Sequence, residues 1–82
     1  MIDNLKKDEN FLVEILMVAY NSEKTIKNSL LSIFNQTFTS WRLVVINDGS
    51  SDKTFEIIDE TCKSVSKKKL NLISFDENLG LS

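Results

Sequence analysis

Side chains suited to recognising a ligand gather at three places in this sequence. Tyr20-Asn21 sets an aromatic ring beside an amide. Asn47-Asp48-Gly49-Ser50 brings an amide, a carboxylate and a hydroxyl around a glycine, and Asp76-Glu77-Asn78-Leu79-Gly80 sets carboxylates and an amide before another glycine. Groups of this kind stack and hydrogen-bond. Each also has a plain structural use: Tyr20 can cover a strand edge, Asn21 can cap a helix, and the two acidic clusters are ordinary turn chemistry. Taken singly, none outweighs its plain use. Cys62 is the sole cysteine and histidine is absent, so an intrachain disulfide and a Cys/His zinc site are excluded. No histidine is present to activate Cys62, whose apolar neighbours at helical spacing point to a buried helix residue. The spacing of Asp48, Ser50, Asp52 and Asp59 is loosely that of a calcium loop, but Lys53 stands where that loop needs its turn glycine. Ala19-Tyr20-Asn21-Ser22-Glu23-Lys24 contains no glycine, which excludes a phosphate-binding P-loop and a Gly-rich dinucleotide loop there.

The elements that must hold these clusters alternate in period. Leu12 to Ala19 is a short, nearly continuous apolar run and reads as a strand buried on both faces. Beyond Tyr20-Asn21-Ser22 the apolar residues Ile26, Leu30, Ile33 and Phe34 recur at helical spacing. The pattern predicts a helix from Glu23 to about Gln36 or Thr37, capped by Asn21 or Ser22. Trp41 to Asn47 is β-branched and aromatic, a second strand. Asp52 stands where a carboxylate suits the next helix start, and Phe55, Ile58, Cys62 and Val65 mark that helix's apolar face. Leu70 to Phe75 is a third short strand. The order β-α-β-α-β implies an α/β fold with a parallel three-stranded sheet in spatial order 3-2-1, a Rossmann-like half of a doubly wound sheet. In such a sheet ligands bind beyond the carboxyl ends of the strands, and all three polar clusters fall there.

With 82 residues the chain makes one small domain of marginal stability. A hydrophobic share of 41% excludes intrinsic disorder. A net charge of −2 offers no basic face for nucleic acid. Lys67, Lys68 and Lys69 read as a solvated helix end. No segment approaches the roughly 18 apolar residues of a membrane span. Residues 1–10 are polar and mixed in charge, unlike a signal peptide, and read as a flexible leader to a domain over residues 11–82. The cysteine usage fits a reducing, cytoplasmic compartment.

Taken jointly, the clusters are far more specific. Val18-Ala19-Tyr20-Asn21, then Ser22-Glu23-Lys24-Thr25-Ile26, Ser32-Ile33-Phe34-Asn35-Gln36-Thr37-Phe38, Val45-Ile46-Asn47-Asp48-Gly49-Ser50-Ser51-Asp52-Lys53-Thr54 and Asn78-Leu79-Gly80-Leu81-Ser82 follow in order. Over about Leu12 to Ser82 this series closely resembles the N-terminal region of family 2 glycosyltransferases of the GT-A fold. The resemblance implies a nucleotide-sugar donor, with UDP-sugars favoured, and a glycan or lipid-linked acceptor. It implies that Tyr20 lies against the base, that Asp48 accepts a hydrogen bond from it, and that Val18 and Ala19 offer backbone contacts. Asn21 and the Asn78–Gly80 segment complete the implied nucleotide-sugar site, while Gln36-Thr37 supports the fold. A tyrosine face is a stacking platform, worth about 1–3 kcal/mol per base in nucleic-acid complexes. A carboxylate only accepts hydrogen bonds and so suits the imide N–H of uracil.

Two departures stand out. Valine occupies position 18, where the family often has proline. The family's metal-binding Asp-x-Asp element and catalytic carboxylate have no counterpart in the chain, so Mg²⁺ or Mn²⁺ is expected of a full-length enzyme and not of these residues. The last residues form a loop where a fourth element is due. The expectation is therefore a truncated unit, inactive alone, with membrane association left open for the full-length protein. A first strand lacking its later neighbour also implies pairing with a second copy through its edge. Two other classes compete: a Rossmann-like dinucleotide domain, distinguished by NAD titration, and a non-enzymatic α/β interaction module, which would show no nucleotide dependence.

Overall fold

The computed structural model describes residues 13–81; the leader and the Leu12 start of the first strand lie outside the described residues. Five elements alternate: β1 (Val13–Ala19), α1 (Ile26–Phe34), β2 (Trp41–Asp48), α2 (Thr54–Thr61) and β3 (Leu70–Phe75). The strands form one parallel sheet in the order β1-β2-β3, with β2 central. This is the expected 3-2-1 order read from the other end. The register sets Ala19 opposite Asn47, and Asp48 opposite Phe75. The three strands therefore finish almost level, and the loops that follow them rise from one edge of the sheet.

Strand alternation decides where the core lies. Trp41, Leu43 and Val45 of β2 are buried, as is Ala19 of β1, and Ile15, Met17, Leu70 and Leu72 pack beside them. Ile26 and Leu30 of α1, with Ile58 and Cys62 of the α2 segment, close over the same side. Both helices thus cover one face. The other face carries Leu16, Val18, Val44, Ile46, Ile73 and Phe75, and Leu16 is 65% exposed. The apolar run of β1 is consequently not buried on both faces, as its composition suggested, because no described element covers the second face. β1 also forms an edge of the sheet, with no described strand beyond it.

Several local expectations change for physical reasons. Helix α1 begins at Ile26 instead of Glu23, because the Thr25 and Ile26 N–H groups both donate to the Ser22 carbonyl in a turn that precedes it. Phe55 is not a core residue of α2. Thr54, Ile58 and Cys62 take the inward face at i, i+4 and i+8, which leaves Phe55 at the surface. The lysine cluster lies in the turn between α2 and β3, not at a helix end. Lys69 Nζ sits 4.0 Å from the Trp41 ring centroid and donates to the Thr39 carbonyl at 2.6 Å. The Trp41 ring in turn stacks on Phe34, with centroids 5.7 Å apart. Cys62 is buried, and its thiol is pushed up from its ordinary value by that burial and by the nearby Asp59 carboxylate. Among the described residues no helix is long and apolar enough to cross a membrane.

A contrast of two substitutions checks this core. Leu43→Ala, at a fully buried central position, is expected to destabilise the chain by about 2–5 kcal/mol. Phe55→Ala is expected to destabilise it much less. Urea unfolding followed by Trp41 fluorescence measures both, and equal losses would put Phe55 back in the core.

Candidate functional site

Two loops at the level edge of the sheet are stitched together. Asn21 closes β1 with φ +48, a left-handed conformation that asparagine tolerates better than most residues. This turn sends its amide side chain towards the loop after β2. Ser51 N–H donates to Asn21 Oδ1 at 2.9 Å, and Asn21 N–H donates to Ser50 Oγ at 3.0 Å. One step on, Ser22 N–H donates to Thr54 Oγ1 at 2.7 Å. The next pair is reciprocal: Glu23 N–H donates to Asp52 Oδ2 at 3.3 Å, and Lys53 N–H donates to Glu23 Oε1 at 3.0 Å. Asp52 also receives the Thr54 N–H and hydroxyl on Oδ1, serving the first N–H of α2 as its position before the helix suggested. Desolvation would raise the Asp52 carboxyl, but hydrogen bonds from the Thr54 hydroxyl and from the Thr54 and Glu23 N–H groups outweigh it and hold it below its ordinary value.

The third loop is strapped to the second by one side chain. Asp48, the last residue of β2, is 0% exposed. Its Oδ1 accepts from Leu79 N–H at 2.8 Å, and its Oδ2 accepts from Leu81 N–H at 2.8 Å and Asn78 Nδ2 at 3.2 Å. Asn78 Nδ2 also reaches the Asp48 carbonyl, at 3.1 Å. A carboxylate offers about four acceptor positions, so three donors leave room for about one more. Gly49, with φ +70, lets the strap lie close, since a Cβ at that position would overlap the backbone of Glu77 and Asn78. Gly80 also has positive φ, with open space around it.

The sequence-derived site residues therefore divide. Asp48 and Asn78 meet by hydrogen bonds, and Tyr20 and Gly80 lie in the loops after β1 and β3 at the same edge of the sheet, with Tyr20 41% exposed. Ala19 is buried in the core, and Val18 lies half-buried on the open face. Asn21 neither caps α1 nor stands free: its carbonyl oxygen is committed to Ser51. Ser22 does not cap with its hydroxyl either, since that group donates to the Tyr20 carbonyl. Gln36 and Thr37 lie exposed in the turn after α1, away from the three loops. Sequence reasoning passed over Glu23, Ser51 and Thr54, whose partners lie about 30 residues away. The signal was present in the paired runs Asn21-Ser22-Glu23 and Ser51-Asp52-Lys53-Thr54. Among the described residues no three His, Cys, Asp or Glu side chains gather to hold a metal ion.

A parallel α/β unit with three polar loops converging at the carboxyl ends of its strands belongs to the class that binds ligands at that edge. Comparison with known proteins identifies which member of that class it is. Residues 14–82 match the family model for glycosyl transferase family 2, and the chain belongs to that family. An uncharacterized glycosyltransferase of Haemophilus influenzae is 42% identical over 69 residues, covering 84% of this chain and 21% of that protein. The Escherichia coli UDP-Glc:alpha-D-GlcNAc-diphosphoundecaprenol beta-1,3-glucosyltransferase WfgD is 42% identical over 52 residues, covering 62% of this chain and 21% of its own length. The crystal structure of Staphylococcus aureus TarS residues 1–349 superposes with a TM-score of 0.70 at 28% identity, over 83% of this chain and 20% of that one. The chain thus spans about a fifth of the length of these three proteins.

Two outcomes check the geometry. Gly49→Ala is expected to displace the strap, so the Leu79 and Leu81 amides should lose hydrogen-exchange protection while Leu43 and Val45 keep theirs. Unchanged protection at Leu79 would contradict the close seating. Because the Asp52 carboxyl is held low, its contribution is complete above its ordinary unfolded value and is lost as pH falls through its folded value. The Thr54 and Glu23 amides should stay protected from neutral pH down to that region and open below it. Opening near neutrality would contradict the assignment.

Proposed function

We propose that this chain is the nucleotide-sugar-binding part of an inverting glycosyltransferase in glycan biosynthesis, with a UDP-sugar as donor. The observation that carries the proposal is that half-exposed Tyr20 follows β1 and buried Asp48 ends the adjacent β2, both at the carboxyl edge of the sheet. The ring stacks on the base, and the remaining acceptor position of Asp48 takes its imide N–H. Val18 and Ala19 offer backbone groups to the nucleoside, and Asn78 and Gly80 border it from the strap. Asn21 serves this site by shaping the loop. Its bonds are to Ser50 and Ser51. Nucleotide binding is assigned to the cytoplasmic side, with a glycan or lipid-linked acceptor. The WfgD name includes both UDP-Glc and a diphosphoundecaprenol-linked acceptor, which favours this pairing.

The family implies Mg²⁺ or Mn²⁺ at the donor diphosphate. The described residues gather no set of ligands for such an ion, so they do not fit it, and no step of transfer is assigned to them. Their part is to recognise and hold the nucleoside. Deprotonation of the acceptor hydroxyl and its attack on the anomeric carbon are proposed for the whole protein only.

Titration with UDP followed by NMR tests the base site. Shifts are expected at residues 18–21 and 47–50; shifts confined to Lys67–Lys69 would overturn the assignment. Tyr20→Ala should weaken binding by about tenfold, within the range of one stacked base. Unchanged affinity would remove the ring from the site.

The same chain is proposed to pair with a second copy through β1. That strand forms an edge, and its Leu16 and Val13 are 65% and 42% exposed. Its one charge, Glu14, lies across from Arg42 of β2 at 3.9 Å. Long apolar edges are templates for strand pairing. Sedimentation of the 82-residue chain at micromolar concentration should show a dimer; a monomer with rapidly exchanging β1 edge amides would refute this.

A further inference from the structure

Resting on that base-site reading, we infer that Glu23 is a positioning residue that fixes the gap between Tyr20 and Asp48. Tyr20 belongs to the loop after β1 and Asp48 to the turn after β2. The strand ladder aligns the two only as far as Ala19 opposite Asn47. Beyond that point the ladder no longer sets the separation, yet the base has to fit between a ring on one side and a carboxylate on the other. Three links between the loops take over. Asn21 with Ser50 and Ser51 is the first, and Ser22 with Thr54 the second.

Glu23 makes the third. Like Asn21, and unlike the single Ser22–Thr54 bond, it engages the opposite loop with both its backbone and its side chain and meets two successive residues there. Its N–H is held by Asp52, and its carboxylate holds the Lys53 N–H. A link made by two bonds of opposite sense resists both sliding and twisting of one loop on the other. Asp52 is itself anchored to the start of α2 through Thr54, so the link ties the Tyr20 loop to a fixed element. Among the described residues, the Glu23 side chain makes no hydrogen bond to Asp48 or to the strap. Its effect on the base must therefore act through the position of Tyr20.

Three variants of the 82-residue chain test this, with UDP and uridine as probes and thermal unfolding measured alongside. Glu23→Ala removes the acceptor for Lys53 N–H and is expected to weaken both probes about fivefold, the scale of one hydrogen bond. Glu23→Asp keeps the charge but shortens the reach, and should weaken them as well. Glu23→Gln keeps an oxygen at the same place and should restore wild-type affinity. Equal losses for UDP and uridine locate the effect at the base and not at the phosphates. If the wild-type chain shifts at Tyr20 and Asn47–Ser50 with UDP but all three variants bind as it does, the positioning role is wrong and the base site stands. A lowered melting temperature with unchanged affinity overturns the positioning role in the same way. If Glu23→Gln binds as weakly as Glu23→Ala, the oxygen-acceptor argument is overturned. If the wild-type chain shows no UDP shifts at those residues, both the base site and this inference fall.

Discussion

A buried carboxylate has to be met by donors, and in this molecule that requirement organises the loops at the carboxyl edge of the sheet. Asp48 ends the central strand and is out of contact with solvent. An ionised carboxyl left there without partners would be strongly unfavourable. The nearest way to supply donors is to fold the segment after β3 back across the strand end, where Leu79, Leu81 and the Asn78 amide reach it. That return path crosses the turn at Gly49, which is why a residue without a side chain stands there. The strap, the glycine and the acid are one solution to one desolvation problem. Any ligand that uses Asp48 must share an acceptor that the fold already needs.

The second constraint is geometric. Parallel strands have no short hairpin to bind their ends together, so the loops beyond them need their own ties. Between the first two loops the ties are mostly side chain to backbone, drawn from Asn21, Glu23, Ser50, Asp52 and Thr54, with the Ser51 hydroxyl also donating to Asn21 Oδ1. The positive φ at Asn21 makes the first of these possible by turning the chain sharply at the end of β1. An asparagine in that conformation costs less than most residues would, and its amide recovers a hydrogen bond across the gap. The same two facts explain why Asn21, expected to contact ligand, is spent on joining the first two loops.

The architecture was legible because it depends on local patterns. Val13–Ala19, Trp41–Asp48 and Leu70–Phe75 are apolar, β-branched runs of strand length, and the intervening residues switch to helical spacing. The parallel order follows from that alternation. The joint motif series then placed Tyr20, Asp48, Asn78 and Gly80 at one edge. Four details were not legible, and all depend on contacts far apart in sequence. Phe55 has the apolar character of a core residue, but Thr54 occupies the inward position because its hydroxyl bridges Ser22 and Asp52. Lys69 reads as a solvated charge until Trp41 is brought beneath it. Asn21 reads as a helix cap until Ser51 is set opposite it. The apolar content of β1 reads as two-sided burial, whereas only the side facing α1 and α2 is covered.

These details share a cause that also bears on specificity. Each misread residue depends on a partner, or on the want of one, that is settled only after the sheet has formed. The strands and helices therefore come first in the logic of the fold, and the polar loops are fitted to them. Because Asp48 lies on the central strand and Tyr20 follows the neighbouring one, their separation inherits the rigidity of the β1–β2 ladder up to Ala19 and Asn47. Past that point it depends on a handful of hydrogen bonds, each contributing on the order of 1 kcal/mol. Loops joined this way can change their side chains without disturbing the core, because none of these inter-loop hydrogen bonds is made by Leu30, Leu43, Val45 or Ile58.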